Sequence, residues 1–378
     1  MYFNCHIQII ITSATTGDEK ELTNIMKVAI KNDAQHIGST CDIDVPLNCR
    51  IKYKDQQGYY NYLTAKIITS FQSGDIIKIY AWYDGYNKLE IFSGFVVDFI
   101  EGNPTTIKCM DYIYTLNLGI FGSKMVGVKK NKTSNKKGFS AWGASYPSIK
   151  LKDLLQHLID FTNDQIDISQ SSAAHLTLAN DIFDMTLSNL TFATMSPAAI
   201  LEWLKKEMGF NISLQGNQLY CNIASALTTE TVNVVKFASD RNIHACGLQK
   251  NAKTNSTLFQ NYKLRAWFEN EDGTKNWIDV GSENGLHREV FYYRIPNNQA
   301  LRLKMANAAL DKCKINHYTG SLGAYLYPIC DLYWKVIYTD IRYPERSGNY
   351  TITGIDTDID HGGYRRTIKM AYLSEIQA

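Results

Sequence analysis

The chain has 378 residues, 45% of them hydrophobic and 20% charged, with a formal net charge of +2. That length allows two or three domains around a sizeable core, and the apolar and charged fractions are those of an ordinary globular protein. A charge so close to zero excludes a bulk electrostatic attraction to nucleic acid. Tyrosine is abundant, at 24 against 7 prolines, and with many Ile, Val and Thr it favours sheet. Tyrosine-rich surfaces of moderate charge also suit obligate interfaces; the plainer reading is tyrosines half-buried on strands. The eight cysteines (Cys5, Cys41, Cys49, Cys109, Cys221, Cys246, Cys313 and Cys330) include no CxxC pair. Their spacing fits neither a zinc site nor a small disulfide scaffold, so they read as scattered apolar residues kept reduced in a cytoplasm. No apolar run approaches the roughly 20 residues of a membrane helix. The start, MYFNCHIQIIITS, lacks the basic region of an export signal.

In chain order, Phe3 to Thr12 predicts a first strand, and Glu21 to Ile30 a short amphipathic segment or strand. Asp42 to Lys54 alternates Ile43, Val45, Leu47, Cys49, Ile51 and Tyr53 with polar residues, and Pro46 marks an edge or bulge. From Ser73 to Gly85, Ile77, Ile79, Ala81 and Tyr83 share a face before an Asp84-Gly85 turn. Leu89 to Ile100 is the partner strand, followed by Thr105 to Tyr112. Short strands at about 10-residue spacing argue for a sandwich or barrel.

Residues 123–147 differ. Lys124, Lys129, Lys130, Lys132, Lys136 and Lys137 lie among Gly, Ser and Asn, a loop or linker composition. Beside the reading of a solvated linker stands a basic finger touching DNA, an acidic partner or a neighbouring subunit. Lys129, Lys130, Lys136 and Lys137 are the candidate assembly contacts. Six lysines and no arginine suit loose phosphate or carboxylate contact better than base reading.

The period then becomes helical. Leu151, Leu154, Leu155, Leu158 and Ile159 share one helix face. A second helix has Ser196 at its N-cap, Pro197 at its first position and Gly209 as its stop, with Ile200, Leu201, Leu204 and Met208 as its apolar stripe. Phe210 to Leu214 and Gln218 to Ile223 form a hairpin around Gln215-Gly216-Asn217. Strands return at Val232 to Phe237, Leu258 to Phe268, Trp277 to Val280 and Glu289 to Arg294. A helix from Asn298 to Lys314 follows, then strands from Tyr318 to Tyr327 and Leu332 to Tyr338. In the closing meander, Tyr350, Ile352 and Ile355 share a face across a register shift at Gly354. Gly362-Gly363 makes the turn, and Arg366, Ile368, Met370 and Tyr372 share the returning face.

Three constellations carry conceivable chemistry. His287 and Glu289 share a strand face as an acid/base pair, with no nucleophile motif near them. Asp356, Asp358 and Asp360, ending in His361, alternate on one face as possible cation ligands, without the spacing of a calcium loop. His244 and Cys246 form an H-x-C pair with no second pair to complete a metal site. No GxGxxG, P-loop, GxSxG or HExxH motif occurs. The expectation is no enzyme and no catalytic, cofactor-binding or metal residues.

Several stretches together resemble the baseplate hub proteins of bacteriophage tails, of the late-control-protein-D type. They are Gly74-Asp75, Tyr83-Asp84-Gly85, Phe92-Ser93-Gly94-Phe95, Pro104 to Asp111, the helix and hairpin from Ser196 to Cys221, and the strand from His287 to Tyr292. YPERSGNY (Tyr343 to Tyr350), the Gly354-Ile355-Asp356 strand and GGYRR ending at Arg366 complete the set. Pro328-Ile329-Cys330-Asp331 departs from the family's Pro-Gly-Asp. The resemblance implies a mainly β fold of two similar tube-forming antiparallel β-barrels. These span 1–122 and 229–378, the second with one helix strapped across it. A basic linker at 123–147 and an inserted α/β module at 148–228 lie between them. It further implies a homotrimeric structural hub in the virion, made in the host cytoplasm, that joins a sixfold tail tube protein to a threefold spike or tail-tip protein among other baseplate proteins. Genomic DNA would pass its lumen without sequence-specific binding, and no part would enter a membrane. The same fold in a contractile injection or secretion machine is the alternative; a tail-associated cell-wall hydrolase or an adhesin is a further one.

Overall fold

The computed structural model describes residues 4–55, 57–121, 139–140, 143–168, 174–180, 182, 185–208, 210–223, 233–250, 261–270, 273–292, 297–313 and 318–372. The protein is mainly β, with large antiparallel sheets and an α/β insertion. Nine strands come first: β1 (Cys5–Thr12), β2 (Glu19–Leu22), β3 (Lys27–Asp33), β4 (Thr40–Val45), β5 (Cys49–Lys54), β6 (Tyr60–Ala65), β7 (Ile76–Tyr83), β8 (Leu89–Ile100) and β9 (Thr105–Met110). Short helices α1 (Ile67–Ser70) and α2 (Ile113–Leu116) flank β7 to β9. Buried residues alternate with more exposed ones along β3, β4 and β9, and Ile9, Ile11, Ile43, Ile77, Ile79 and Ile107 meet in one core.

Two sequence expectations need correcting here. The stretch from Glu21 to Ile30 is neither one helix nor one strand, because β2 ends at Leu22 and β3 begins at Lys27. The long alternation from Asp42 to Lys54 breaks at Pro46 into β4 and β5, which leaves Leu47 42% exposed. Proline lacks the ladder donor, so the strand ends where it stands.

The middle segment holds β10 (Phe139–Ser140), β11 (Gly143–Lys150), α3 (Leu151–Ile168), β12 (Thr177–Leu178), β13 (Thr186–Ala193), α4 (Pro197–Met208), β14 (Phe210–Gln215) and β15 (Gln218–Ile223). Ser196 Oγ accepts from the Ala199 N–H at 3.2 Å, the cap that its sequence position promised. Gly209 lies outside the described residues. Ile200, Leu201, Leu204 and Met208 are buried with Leu151, Leu154, Leu155 and Leu158 of α3. The β14–β15 hairpin turns at Gly216, whose φ of +58° is left-handed.

The last part holds β16 (Val234–Ala238), β17 (Ile243–Cys246), β18 (Gln249–Lys250), β19 (Tyr262–Glu269), β20 (Lys275–Gly281), β21 (Leu286–Tyr292), α5 (Gln299–Cys313), β22 (Tyr318–Ala324), β23 (Lys335–Thr339), β24 (Gly348–Asp360) and β25 (Gly363–Tyr372). Here the structure revises the sequence reading. Strands β20-β19-β21 form a separate three-stranded sheet, and α5 packs on β19 and β20. Ala266, Phe268, Leu301, Met305 and Ala306 share the core of α3 and α4, so α5 is not strapped across the last barrel.

The strands around Phe237, Leu322, Val336, Tyr350, Ile352 and Ile368 enclose a third core. The segment β17–β18 with β22, β23, β24 and β25 repeats the arrangement of β3, β4, β7, β8 and β9, whereas β16 pairs β23 parallel and β1 pairs β7 antiparallel. β8 pairs β9 at Val96↔Cys109, skips Val97, and resumes at Asp98↔Lys108 and Phe99↔Ile107. β24 pairs β25 at Ile352↔Met370, skips Thr353, and resumes at Gly354↔Lys369 and Ile355↔Ile368. Aligning the two bulges lays Thr106-Ile107-Lys108-Cys109 on Thr367-Ile368-Lys369-Met370. The bonds beside each bulge match too. Val96 N–H donates to Asp75 C=O and Gly74 N–H to Val96 C=O, both at 2.8 Å; Ile352 N–H donates to Trp334 C=O at 3.1 Å and Tyr333 N–H to Ile352 C=O at 2.9 Å. Gly74 (φ +93°) and Tyr333 (φ +64°) occupy the same left-handed position.

The two halves are not separate. One sheet of 16 strands runs in the order β17-β22-β25-β24-β3-β4-β9-β8-β7-β1-β2-β5-β6, with β16, β18 and β23 attached off this path. Its junction is the pairing of β24 with β3, from Gly354↔Asp33 to Ile359↔Val28.

Ile352 is fully buried immediately before the bulge. Ile352→Ala is expected to cost about 2–5 kcal/mol, whereas Ser196→Ala, which removes a helix cap and an exposed bond to Asn117 Oδ1, should cost about 1 kcal/mol. Denaturant unfolding of both variants compares them, and equal losses would contradict this account of the core.

Candidate assembly surface at the β24–β3 seam

β24 has two partners along its length. Its first residues pair β23, with Val336↔Tyr350 and Lys335↔Thr351. After the bulge at Thr353 the strand swings away and joins β3. The side-chain period of two then places Ile355 and Ile359 inward and Asp356, Asp358 and Asp360 outward. Ile352 and Ile355 lie in the last core, while Ile359 and Tyr364 lie in the first, so a single hairpin is rooted in both.

The outward face is a charge ladder. Lys369 Nζ lies 3.3 Å from Asp33 Oδ2 and 3.1 Å from Asp356 Oδ2. Lys27 Nζ lies 3.4 Å from Asp358 Oδ1, and Arg365 pairs with Asp360. The Asp356 carboxylate, then Asp33, raises the Lys369 pKa above the usual lysine value. Each pair is solvent-exposed and individually contributes little to stability. The row of aspartates that the sequence offered as cation ligands is therefore taken up by side-chain cations. Among the described residues no cluster of three His, Cys, Asp or Glu could hold a metal ion.

Behind the seam, three parts of the protein meet. Glu202 of α4 accepts from the Ile37 N–H at 3.2 Å, and Lys205 Nζ donates to the His36 C=O at 2.8 Å, which docks α4 on the β3–β4 turn. Tyr333 Oη donates to the Ala34 C=O at 3.5 Å, and burial pushes its phenol up to about 12. Next to these contacts is a cavity of about 290 Å³, lined among others by Asn32, Asp111, Gln215, Asp331 and Arg366. Asp111 accepts from the Ser39 and Ile113 N–H groups, yet burial still pushes its carboxyl up to about 6. Asp331 accepts from the Leu332 N–H at 2.7 Å, and burial pushes it up to about 6 as well.

The remaining candidates fall elsewhere. His287 and Glu289 stand on the exposed face of β21. Their register partners on β19 are Lys263 and Arg265, and Arg265 is held by Asp279 through two bonds of 2.8 Å. That is an ionic surface with no nucleophile in it. His244 packs on the Tyr325 ring at 5.3 Å, while Cys246 Sγ accepts from Tyr338 Oη at 3.5 Å. Lys129, Lys130, Lys136 and Lys137 lie outside the described residues. The YPERSGNY stretch proves to be a corner. Asp340 accepts from the Arg342 and Tyr343 N–H groups at 3.0 Å, and Tyr350 Oη donates to the Arg346 C=O at 2.6 Å. Within the motif Tyr343, Arg346, Ser347 and Tyr350 hold the turn, the role of a tyrosine corner in β-sandwiches.

No family model and no curated protein matches the sequence. Solved structures do match the fold. A 43 kDa prophage MuSo2 tail protein from Shewanella oneidensis aligns over 97% of this chain and 98% of its own, at 13% identity and a TM-score of 0.55. A tail protein from Neisseria meningitidis aligns over 98% and 96%, at 12% identity and a TM-score of 0.56. An E. coli protein described as a component of the type VI secretion system, with structural similarity to the T4 tail proteins gp27 and gp5, aligns over 98% and 77%, at 9% identity and a TM-score of 0.51. The fold is thus that of phage tail proteins, shared along essentially the whole chain, with the mainly β architecture that the resemblance implied.

Asp331 furnishes a pH prediction. Its folded pKa of about 6 lies above the ordinary value of 3.8. The folded form therefore takes up the proton first as pH falls, and the charged side chain destabilises the fold only at higher pH. Asp331→Asn is expected to stabilise the protein by about 1–2 kcal/mol at pH 7.5. That gain should fade through pH 6 and vanish near pH 4 in thermal unfolding; a pH-independent gain would contradict it.

Proposed function

We propose that the chain is a structural component of a phage tail, the baseplate or tail-tip hub. In this reading three copies form a ring that adapts a sixfold tail tube to a threefold spike or tip, with DNA passing through the lumen. The observation that carries the reading is the duplicated barrel joined through β24 and β3 into one sheet, in a fold shared end to end with tail proteins. Two similar barrels per chain would give three chains six similar units, which is what a three-to-six adaptor needs. The outward face of the seam would line the lumen. Its lysines and arginine are already matched by aspartates, so it would offer passing phosphates little net attraction.

The proposed domains are the first barrel at 1–122, a basic linker at 123–147, an α/β module at 148–228 and the second barrel at 229–378. The β19–β21 sheet and α5 fall within that last range by sequence but pack with the module. The role is assembly without catalysis: the ionic environment of Glu289 and the ion-paired aspartates of β24 support it, against a hydrolase or an adhesin. Its place would be the virion, and its partners the tube protein, the spike or tip protein and other baseplate proteins. The second reading, a hub in an injection or secretion machine, is favoured by the likeness to the E. coli secretion component.

A tail reconstruction tests the reading, with three copies expected on the axis where tube meets spike; one or six copies would refute it. A particle carrying the ring but no genome would move the reading to the secretion machine. For the basic segment, replacing Lys129, Lys130, Lys136 and Lys137 with Ser is expected to leave thermal unfolding unchanged and to reduce incorporation into tails several-fold. Unchanged incorporation would remove the segment from the interface.

A further inference from the structure

The duplicated strands differ in what lies beside β8 and β24. In the second barrel, β24 beyond its bulge is paired on both sides, with β25 and with β3. In the first, the equivalent part of β8 is paired with β9 alone; beyond Val96 its other side has no strand partner among the described residues. The Phe99 N–H donates instead to the side chain of Asp98 at 2.8 Å. Ile100, which corresponds to the outward-facing Asp356, is 48% exposed.

A strand equivalent to β3 also exists with a side that has no strand partner among the described residues. β22 stands to β25 as β4 stands to β9, since Leu322↔Ile368 matches Ile43↔Ile107. β3 pairs β4 with Val28↔Ile43 and Lys31↔Thr40. β17 and β18 pair β22 with Cys246↔Leu322 and Gln249↔Thr319. The segment from Ile243 to Lys250 is therefore the second barrel's copy of β3, and β17 is the terminal strand of the sheet path. The molecule thus has one filled joint, β24 with β3, and the two separated halves of a second joint of the same kind.

We propose that β8 of one copy pairs with β17 and β18 of the next copy, in the register of the internal seam. The partner is a second molecule of this chain. The continuity of the proposed contact with an equivalent joint already made within the chain argues for that occupant over any other. The register follows by transfer. Asp356↔Lys31 becomes Ile100 opposite Gln249, and Ile355↔Asn32 becomes Phe99 opposite Lys250. Ala34 N–H donates to Thr353 C=O at 2.8 Å. By alternation Ile355/Asn32 is then a hydrogen-bonded pair and Asp356/Lys31 a closer, non-hydrogen-bonded one. Phe99 therefore needs an inter-strand acceptor, which the Lys250 C=O supplies in place of Asp98. The contact is head-to-tail, each copy giving one edge and receiving one, so it closes into a ring if the rotation closes. Ring closure at three copies rests on the hub reading above.

The test is a pair of cysteines, Ile100→Cys with Gln249→Cys, in the full chain within assembled particles. Opposed residues of a non-hydrogen-bonded pair have Cα atoms about 4.5 Å apart, within disulfide reach. Oxidation should move the chain on a non-reducing gel from one chain mass to three, with nothing larger; either single variant should stay at one. Lys31→Cys with Asp356→Cys is the control, giving a disulfide within one chain by peptide mass mapping. If the control links and particles show three copies on the axis but the test pair does not, this register is overturned and the hub reading stands. If the particles hold no ring, both fall. Slowed hydrogen exchange at Phe99 and Leu248 in particles, against unassembled chain, reads the same joint without substitution; unchanged exchange counts against it.

Discussion

Main-chain pairing between β24 and β3 is the constraint on which the architecture rests. Six residue pairs join strands that begin 321 positions apart, at Lys27 and Gly348. The pairing turns two curled sheets into one. It also fixes where every outward side chain near the junction points, because a one-residue slip would exchange the faces of β24. Such a slip would drive Asp356 and Asp358 into the cores and expose Ile355 and Ile359, so the hydrophobic cores on both sides enforce the register.

The bulge at Thr353 makes this possible. A straight β24 would continue along β23; the extra residue adds twist and lets the strand change partners. Tyr333 pays part of the cost, since its left-handed φ is unfavourable for a residue with a side chain. Its hydroxyl reaches Ala34 at the seam, next to the His36 and Ile37 backbone groups on which α4 docks. Gly74 takes the same conformation in the first barrel without that cost. The module is thereby tied to the joint through α4, Tyr333 and the polar cavity, and the three parts meet at one place.

Much of the local structure was legible in the sequence, because it is set by local chemistry. The N-cap at Ser196, the turn at Gly216, the register shift near Gly354 and the inward row of Ile368 and Met370 each follow from a few neighbouring residues. The seam was not legible. Its partners are far apart in sequence, and nothing in Lys27 to Asp33 distinguishes a strand paired on both sides from an edge. The placement of α5 failed for a related reason: its apolar residues establish that it is buried, not against which sheet. The duplication was half-hidden by substitution at Gly74 and Tyr333, and survives in sequence chiefly as the paired Thr-Ile-Lys runs. The aspartate row was visible, but its lysine partners on β3 and β25 were not.

The seam also sets an order of events during synthesis. β3 leaves the ribosome 321 positions before β24, the strand that covers its free side. Through that interval the first barrel must persist with that edge open, and open edges are templates for pairing with the wrong chain. Lys27 and Lys31 sit on that edge strand, and charged side chains there discourage premature partners. Contacts so distant in sequence are slow to form, so the sheet is completed only after the intervening residues have been made. Lys27, a charge on that open edge, is the lysine that pairs with Asp358 in the finished sheet.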